Sequence, residues 1–448
     1  MKSLFRNTPL FSLTLAIFGF AFFLSGYTSA QAQGNIGFER SRGRDMLKTI
    51  KDDIKKNYYD PNFRGIDLEA RFKTADEKIQ QANSLNQIFS IIAQALLDFD
   101  DSHTFFMPPS RSDSIEYGWQ MQAIGDQCYV IAVKPGSDAE AKGLKPGDRV
   151  LSVGGFKPSR ELIWKINYLF YSLRPTPVLP VVVQTPAGEQ RQLELAAKIT
   201  RGKRVLDVTG KDGGSDLMDL IRESEMESRL NRHRQVTLSN GVMIWKMPQF
   251  DLDESQVADL MDRVKKQESL ILDLRGNGGG YVKTLEWLTG HFFDKDVKIA
   301  DVQARKEAKP HIAKTKGDKI FKGKLVVLID SQSGSAAELF ARVIQLEKRG
   351  VVIGDRSAGA VMRSRRYSHE HGTDVVVPYG ASVTDADMIM ADGKSLERVG
   401  VTPDELLLPT AADLAANRDP VLARAAETLG LKLPADKAGS FFPIEWKK

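Results

Sequence analysis

Three short apolar runs, each close to a segment with helical periodicity, constrain the fold of this chain more than any other feature. The runs are "SLILDL" at 269–274, "KLVVLID" at 324–330 and "GVVIGD" at 350–355. The amphipathic segments that predict helices are 253–267, 281–293 and 336–348. Strands that are apolar on both faces are typical of a parallel sheet covered by helices. We therefore predict a layered α/β core.

The regions before this core have different patterns. Apolar residues such as Met46, Ile50 and Ile54 recur at helical spacing near the N-terminus. Further along, short β-like runs such as "YVIAV" and "DRVLSV" predict a compact unit with its own strands. The predicted order is an export signal at 1–32, an N-terminal helical region at 38–110, the compact unit at 115–198, a polar connection at 199–234, the α/β core at 235–412 and a C-terminal helical tail at 413–448.

The first residues have the pattern of an export signal. Lys2 and Arg6 give a basic start, the apolar stretch runs over 10–24, and "Ala-Gln-Ala" at 30–32 offers a small-residue cleavage site. The apolar stretch is short for a membrane span, which needs about 20 residues. We expect a cleaved signal and a periplasmic or extracellular protein. The alternative is an uncleaved anchor, which would be the one contact with a membrane.

Charge and cysteine content exclude two classes of function. The formal net charge is +5, and loss of Lys2 and Arg6 with the signal lowers it to +3. This charge is too small and too scattered to indicate a nucleic-acid partner. Cys128 is the only cysteine, so no disulfide can form within the chain. Its surroundings, "DQCYVIAV", predict a buried strand and argue against a cysteine nucleophile.

Ser335 lies where a predicted strand gives way to a predicted helix. One reading is an N-cap, with Glu338 closing a capping box. The other is a nucleophile, because free N–H groups at a helix N-terminus favour negative charge on a substrate oxygen. The glycine-rich segment 273–282 follows a buried strand in the same way and lacks the spacing of a dinucleotide fingerprint. It is either a tight turn or a loop that offers backbone donors to an oxyanion.

A serine nucleophile needs a base, and His103 is the histidine with the most suggestive surroundings. It occurs in "LLDFDDSHTFFMPP", among acidic and hydroxyl side chains. A structural histidine in a turn is the alternative. The His369-x-His371 pair is read as part of a polar loop, and it is too sparse for a metal site. No metal and no cofactor are expected.

Four motifs in this order resemble the carboxy-terminal processing proteases and the related tricorn core proteases. They are "DDSHTFF", "GLKPGDRVLSVGG", "LRGNGGG" and "SGSAAELFA". The resemblance covers about residues 40 to 412. It implies an α/β, or α+β, multidomain fold with an N-terminal helical region, a PDZ-like β-sandwich domain and a core of ββα units similar to crotonase and ClpP.

The resemblance also implies roles for residues. Ser335 would be the nucleophile, and the oxyanion hole would use the N–H groups of Gly278 or Gly279 and of Ala336. Carboxy-terminal processing proteases typically use a lysine base, and Ala360 stands in its place here.

Two hypotheses follow from that replacement. In tricorn-like relatives a histidine beside a serine acts as base, and a glutamate completes the arrangement. Ser102, His103 and Glu397 match that set. The other hypothesis is a catalytically inactive pseudoprotease that binds peptides. We favour an exported serine endopeptidase acting on polypeptides.

The PDZ-like unit predicts how a polypeptide is held. Such modules bind a C-terminal peptide as an added strand. The groove would lie between a predicted strand at 117–125 and a predicted helix at 159–170, with the ligand near Tyr117, Gly118, Trp119 and Gln120. The alternative is a spacer that only packs against the core.

Overall fold

The computed structural model describes residues 30–109, 113–201, 232–372 and 376–446. The export signal predicted at 1–32 lies outside this range except for its last residues, and most of the connection predicted at 199–234 also lies outside it. Among the residues described, no helix combines the length and apolar character needed to cross a bilayer.

Helices form the N-terminal region. They are α1 (Ala30–Asn57), α2 (Leu68–Gln80) and α3 (Leu85–Leu97). The side chains of Asp67 and Ser84 cap α2 and α3 by accepting backbone N–H bonds. Residues at helical spacing, including the predicted Met46, Ile50 and Ile54, are fully buried. A short strand, β1 (Phe105–Met107), leads out of this region.

An antiparallel sheet follows the helices, and its strands are ordered as in the chain. The strands are β3 (Trp119–Ile124), β4 (Gln127–Val133), β5 (Arg149–Val153), β6 (Val178–Gln184) and β7 (Gln190–Ala196). β3 therefore lies at one edge of the sheet. A separate pair joins β2 (Asp113–Glu116) to β8 (Lys198–Arg201). Cys128 is buried in β4, as predicted.

Two helical segments accompany this sheet. The first is α4 (Asp138–Ala141), and the second is α5 (Ile163–Asn167), which continues as a π-helical turn over Tyr168–Leu173. The helix predicted from residue 159 thus begins four residues later. Ser159 and Arg160 instead lie in a turn against the core, where Arg160 binds Asp355.

The core contains the predicted sheet of buried strands. In spatial order they are β18 (Glu405–Leu406), β15 (Val351–Gly354), β14 (Lys324–Ile329), β11 (Ser269–Asp273), β10 (Val242–Lys246) and β9 (Arg234–Thr237). All pairs are parallel except β9 with β10. Every residue of β11 is buried.

Helices cover both faces of this sheet, which explains its continuous apolar strands. One face packs on α6 (Glu254–Val264), α7 (Val282–Gly290) and α8 (Ala336–Leu346). Three helices follow near the C-terminus, α9 (Ala411–Ala415), α10 (Pro420–Thr428) and α11 (Ala435–Gly439), and the last two pack on the other face. Leu270 and Leu272 of β11 face the first layer, whereas Ile271 faces the second.

The core sheet is accompanied by a second sheet, of five strands, that the sequence did not predict. Its strands are β12 (Val297–Ala304), β13 (His311–Ala313), β16 (Arg363–His371) and β17 (Val377–Met390), and β1 joins it by pairing with β17. The prediction of a polar loop around His369 and His371 is wrong, because both belong to β16. Its polar residues alternate on an edge strand, and His369 Nε2 lies 2.6 Å from Asp53 Oδ2 of α1.

Buried polar contacts join the antiparallel sheet β3–β7 to the core. Arg160 Nη2 donates to Asp355 Oδ2 at 2.7 Å, and both side chains are more than nine-tenths buried, with 8% and 7% exposure. Gly125 N–H donates to the same oxygen at 2.9 Å. Gln122 donates to Asp330 Oδ2 at 2.7 Å, and the Ser331 hydroxyl donates to the Ala123 carbonyl. The sheet is therefore fixed against the loop that follows β14.

Arg160→Ala is expected to lower the free energy of unfolding by about 3 kcal/mol, because it leaves the buried Asp355 carboxylate without its cation. Urea titration monitored by fluorescence measures this loss. Arg366→Ala, at an exposed position of β16, is the matched control and should change little. A value for Arg160→Ala equal to that of the control would contradict the role of this pair.

Candidate active site

Ser335 lies in a sharp turn between β14 and the first residue of α8. Its φ is +53° and its ψ is −117°. A positive φ is unfavourable for a residue with a side chain, and a capping serine normally has an extended backbone. Ser335 is therefore strained, as a serine held on a strand-to-helix turn is when its hydroxyl must be presented to a ligand.

Glu338 holds this turn through its carboxylate, which is fully buried. Oε2 accepts N–H bonds from Ser335 at 2.9 Å and Ala360 at 3.0 Å. Oε1 accepts from the Ser357 hydroxyl at 2.6 Å and from the Gly359 N–H at 2.7 Å. Desolvation raises the pKa of Glu338 to about 7, and these four donors oppose the rise. The carboxylate thus does more than close the capping box that the sequence suggested.

The glycine-rich loop packs directly against Ser335. Gly279 has φ +103°, and a Cβ there would lie 2.6 Å from Ser335 Cβ and 3.0 Å from Ala336 N. Gly334 N–H donates to the Asn277 carbonyl at 2.8 Å, which ties the two loops together. Only glycine fits this close approach.

The N–H groups of this region differ in what they bind. Gly279 N–H donates to Asn277 Oδ1 at 2.8 Å. Gly278 is exposed, and a Cβ on it would meet no atom within 4 Å. Ala336 is the first residue of α8, where an N–H has no acceptor within the helix.

The structure brings Ser102, His103 and Glu397 together, although Glu397 is 295 residues from Ser102 in the chain. His103 Nδ1 lies 2.6 Å from Ser102 Oγ, and Ser102 Oγ lies 2.8 Å from Glu397 Oε2. Ser102 N–H also donates to Glu397 Oε1 at 2.8 Å. The three side chains form a continuous hydrogen-bonded row.

This row determines the protonation of the imidazole. An ionised carboxylate only accepts hydrogen bonds, so the one hydroxyl proton of Ser102 goes to Glu397. His103 Nδ1 must then carry a proton and donate it to Ser102 Oγ. In the neutral ring Nε2 is left with its lone pair and is able to accept a proton. Burial lowers the pKa of His103, with the Asp101 charge opposing that change, and burial raises the pKa of Glu397.

A backbone segment connects this row to Ser335. Ser335 N–H donates to the Ala360 carbonyl at 2.9 Å, and the next N–H, that of Val361, donates to Glu397 Oε2 at 3.0 Å. In the described part of the chain, no hydrogen bond joins the His103 ring directly to the Ser335 hydroxyl. The connection runs through neighbouring backbone groups: Ala360 binds the Ser335 N–H, and Val361 binds the Glu397 end of the row.

Asp101 supports the loop that carries His103, and sequence reasoning did not single it out. Its buried Oδ1 accepts N–H bonds from His103 at 2.9 Å and Thr104 at 2.6 Å, and the Thr384 hydroxyl at 2.7 Å. Oδ2 accepts from the Tyr58 hydroxyl at 2.8 Å. The acidic cluster in "DFDDSH" was the signal that could have identified it.

A groove of about 990 Å³ lies between β3 and the helical segment 163–173. Of the predicted peptide-contacting residues, Gly118, Trp119 and Gln120 line it. Tyr117 is fully buried, and its hydroxyl donates to the Thr176 carbonyl at 2.8 Å. Within the described ranges, no group of three histidine, cysteine or carboxylate side chains is placed to hold a metal ion.

The chain is similar to a family of peptidases and to individual processing proteases. Residues 242–407 match the model of Peptidase family S41. The tail-specific protease of Haemophilus influenzae is 25% identical over 355 residues, which cover 75% of this chain and 48% of that protein. The carboxy-terminal processing protease CtpA of Bacillus subtilis is 23% identical over 392 residues, covering 85% of this chain and 72% of that one.

A solved structure supports the fold. The crystal structure of mature CPAF superposes with a TM-score of 0.62 at 15% identity, covering 84% of this chain and 94% of that one. The chain spans about half of the length of the H. influenzae protease. The predicted α/β fold class and the resemblance to carboxy-terminal processing proteases are confirmed. Residues 242–407 of this chain are thus similar to the serine-type peptidases of family S41.

Proposed function

We propose that this chain is an exported serine endopeptidase that cleaves polypeptides through an acyl-enzyme on Ser335, with His103 as the base. One observation carries the proposal. The Glu397–Ser102–His103 row orients the imidazole through Nδ1, and its Glu397 end binds the Val361 N–H, next to the Ala360 carbonyl that binds Ser335. A strained serine, a glycine loop and an oriented imidazole make up the parts that acyl transfer requires.

The reaction has two stages, acylation of Ser335 and hydrolysis of the resulting ester, and His103 moves a proton in each. His103 Nε2 takes the Ser335 hydroxyl proton as Oγ attacks the peptide carbonyl carbon. The resulting imidazolium is stabilised by Ser102, which accepts from Nδ1–H and donates to Glu397. Nε2–H then protonates the leaving amine, and the C–N bond breaks to leave an ester on Ser335. A water deprotonated by Nε2 attacks that ester, the ester C–O bond breaks as Nε2–H returns its proton to Ser335 Oγ, and the new carboxyl end is released.

The oxyanion formed during attack needs two N–H donors. Gly279 N–H is already donated to Asn277, so Gly278 is the better of the two proposed glycines. The Ala336 N–H, at the positive end of α8, is the second donor. Both glycines remain necessary, because Gly279 allows the loop to approach Ser335.

The substrate and location are also part of this proposal. The relatives are named tail-specific and carboxy-terminal processing proteases. We propose that the groove beside β3 holds the C-terminal segment of a polypeptide as an added strand. The predicted signal at 1–32 supports export, and the chemistry uses no cofactor. The competing hypothesis from the sequence, a peptide-binding pseudoprotease, predicts binding without turnover.

Ser335→Ala and His103→Ala are each expected to reduce kcat/KM for labelled casein by at least about 10³-fold, because nucleophile and base act as one unit. Cleavage is followed by the release of dye-labelled peptides. His371→Ala, a histidine of β16 outside the site, is the matched control and should keep the parental rate. Parental activity in Ser335→Ala would exclude this nucleophile, and a parent chain that never cleaves would favour the pseudoprotease.

The rate should rise with pH through a midpoint below the ordinary histidine pKa of 6.5. Burial lowers the pKa of His103, so the neutral, proton-accepting ring persists to lower pH, and activity is lost only as pH falls through that lowered value. The measurement is kcat/KM against pH. A rising limb centred above pH 7, or no rising limb at all, would contradict His103 as the base.

Glu338→Gln should lower kcat by about 10-fold or more with little change in KM. The new amide places a donor where one carboxylate oxygen accepts two hydrogen bonds, so the Ser335 turn loses its support. The free energy of unfolding should also fall by about 1–3 kcal/mol. Glu347→Gln at the end of the same helix is the control. An unchanged kcat in Glu338→Gln would show that the turn holds without this carboxylate.

A further inference from the structure

Part of the groove wall belongs to neither β3 nor the helical segment opposite it. Glu445 and Trp446 line the groove together with Gln332, which lies in the loop leading to Ser335. Trp119 and Phe170 are among the apolar residues that line the same groove. The C-terminal residues therefore stand at the place where we propose that substrate docks. We name residues 441–446 the C-terminal strap.

The C-terminal strap is held by arginines at the outer edge of the core sheet. The Arg234 guanidinium lies 5.2 Å from the centre of the Phe442 ring, and its Nη1 donates to the Pro443 carbonyl at 3.3 Å. Arg232 Nη2 donates to Glu445 Oε1 at 2.8 Å. These contacts are solvent-exposed, and exposed ion pairs are weak and screened by salt. Phe441 and Phe442 also pack at the margin of the apolar cluster on one face of the core sheet. The strap is therefore held by weak polar contacts and by two partly buried rings.

The strap also lies near β3. A second cavity, of about 480 Å³, is lined by Gln122 and Ile124 of β3 and by Ile444 and Glu445 of the strap. Gln120 and Glu445 line both this cavity and the groove. The edge of β3 is where an added peptide strand would form its backbone hydrogen bonds. A peptide that enters the groove would therefore compete with the strap for the same space.

The groove also contains an unused donor. Trp119 is 5% exposed, and among the described residues no acceptor is found for its buried indole Nε1–H. A buried donor without an acceptor costs free energy. The wall of the groove therefore contains one buried polar group that is not satisfied in this structure.

We propose that the C-terminal strap is an internal competitor that a polypeptide substrate must displace from the edge of β3. This inference rests on the proposed function, since it takes the groove as the docking site. It adds a regulatory segment to that function. The bound strap lowers the affinity for weak ligands, and only polypeptides that compete successfully reach the loop of Gln332 and Ser335.

The competition is tested in full-length protein carrying Ser335→Ala, so that cleavage plays no part. The probe is fluorescein-labelled, carboxymethylated casein, and anisotropy gives its Kd. Glu445→Ala and Trp446→Ala should each bind the probe about five-fold more tightly, since each removes weak contacts of the strap. Asp436→Ala, an exposed acidic residue of α11, is the control and should not change Kd. Equal or weaker binding in both strap variants overturns the proposal.

A second measurement does not depend on casein. The fluorescence of Trp446 is obtained as the difference between the parent and Trp446→Phe, and acrylamide quenching reports its accessibility. We expect Trp446 to be shielded in the parent and more accessible in Glu445→Ala. If casein binds no variant, the groove part of the proposed function fails. Equal quenching in the parent and Glu445→Ala overturns the strap itself.

Discussion

The buried carboxylate of Glu338 is the interaction on which the site depends. Its two oxygens accept bonds from the strained Ser335 turn and from the segment containing Ser357, Gly359 and Ala360. A carboxylate removed from water is retained only when its oxygens are satisfied. The positive φ of Ser335 and the path of the following segment are therefore fixed together, and neither could relax without exposing an unpaired buried group.

The parallel sheet explains why the parts of the site meet. The glycine loop follows β11, Ser335 follows β14, and the segment 355–361 follows β15. These three strands are neighbours, so their carboxyl ends and the loops after them share one edge of the sheet. Ligand sites of open α/β sheets form at this edge for the same reason. The loop that carries His103 comes from the N-terminal region and reaches this edge through the hydrogen bonds of Ser102 to Glu397.

Most of the core could be predicted from sequence, whereas the second sheet could not. The apolar runs at β11, β14 and β15 are local signals, and so are the helices that follow them. β16 is polar and lies at an edge, and its identity as a strand depends on the partner β17 rather than on its own pattern. The start of α5 was displaced for a similar reason, since Arg160 is drawn to Asp355 in the core.

The sequence by itself determined the alternation of strands and helices in the parallel core, the position of Ser335 at a helix N-terminus and the glycine loop, because periodicity and backbone freedom are properties of neighbouring residues. Only the tertiary structure decided that Ser102 and His103 meet Glu397, that Asp101 and Glu338 hold the loops, and that the C-terminal strap borders the groove. Hydrogen bonds between residues hundreds of positions apart exist only after the core has packed, and no local pattern encodes them.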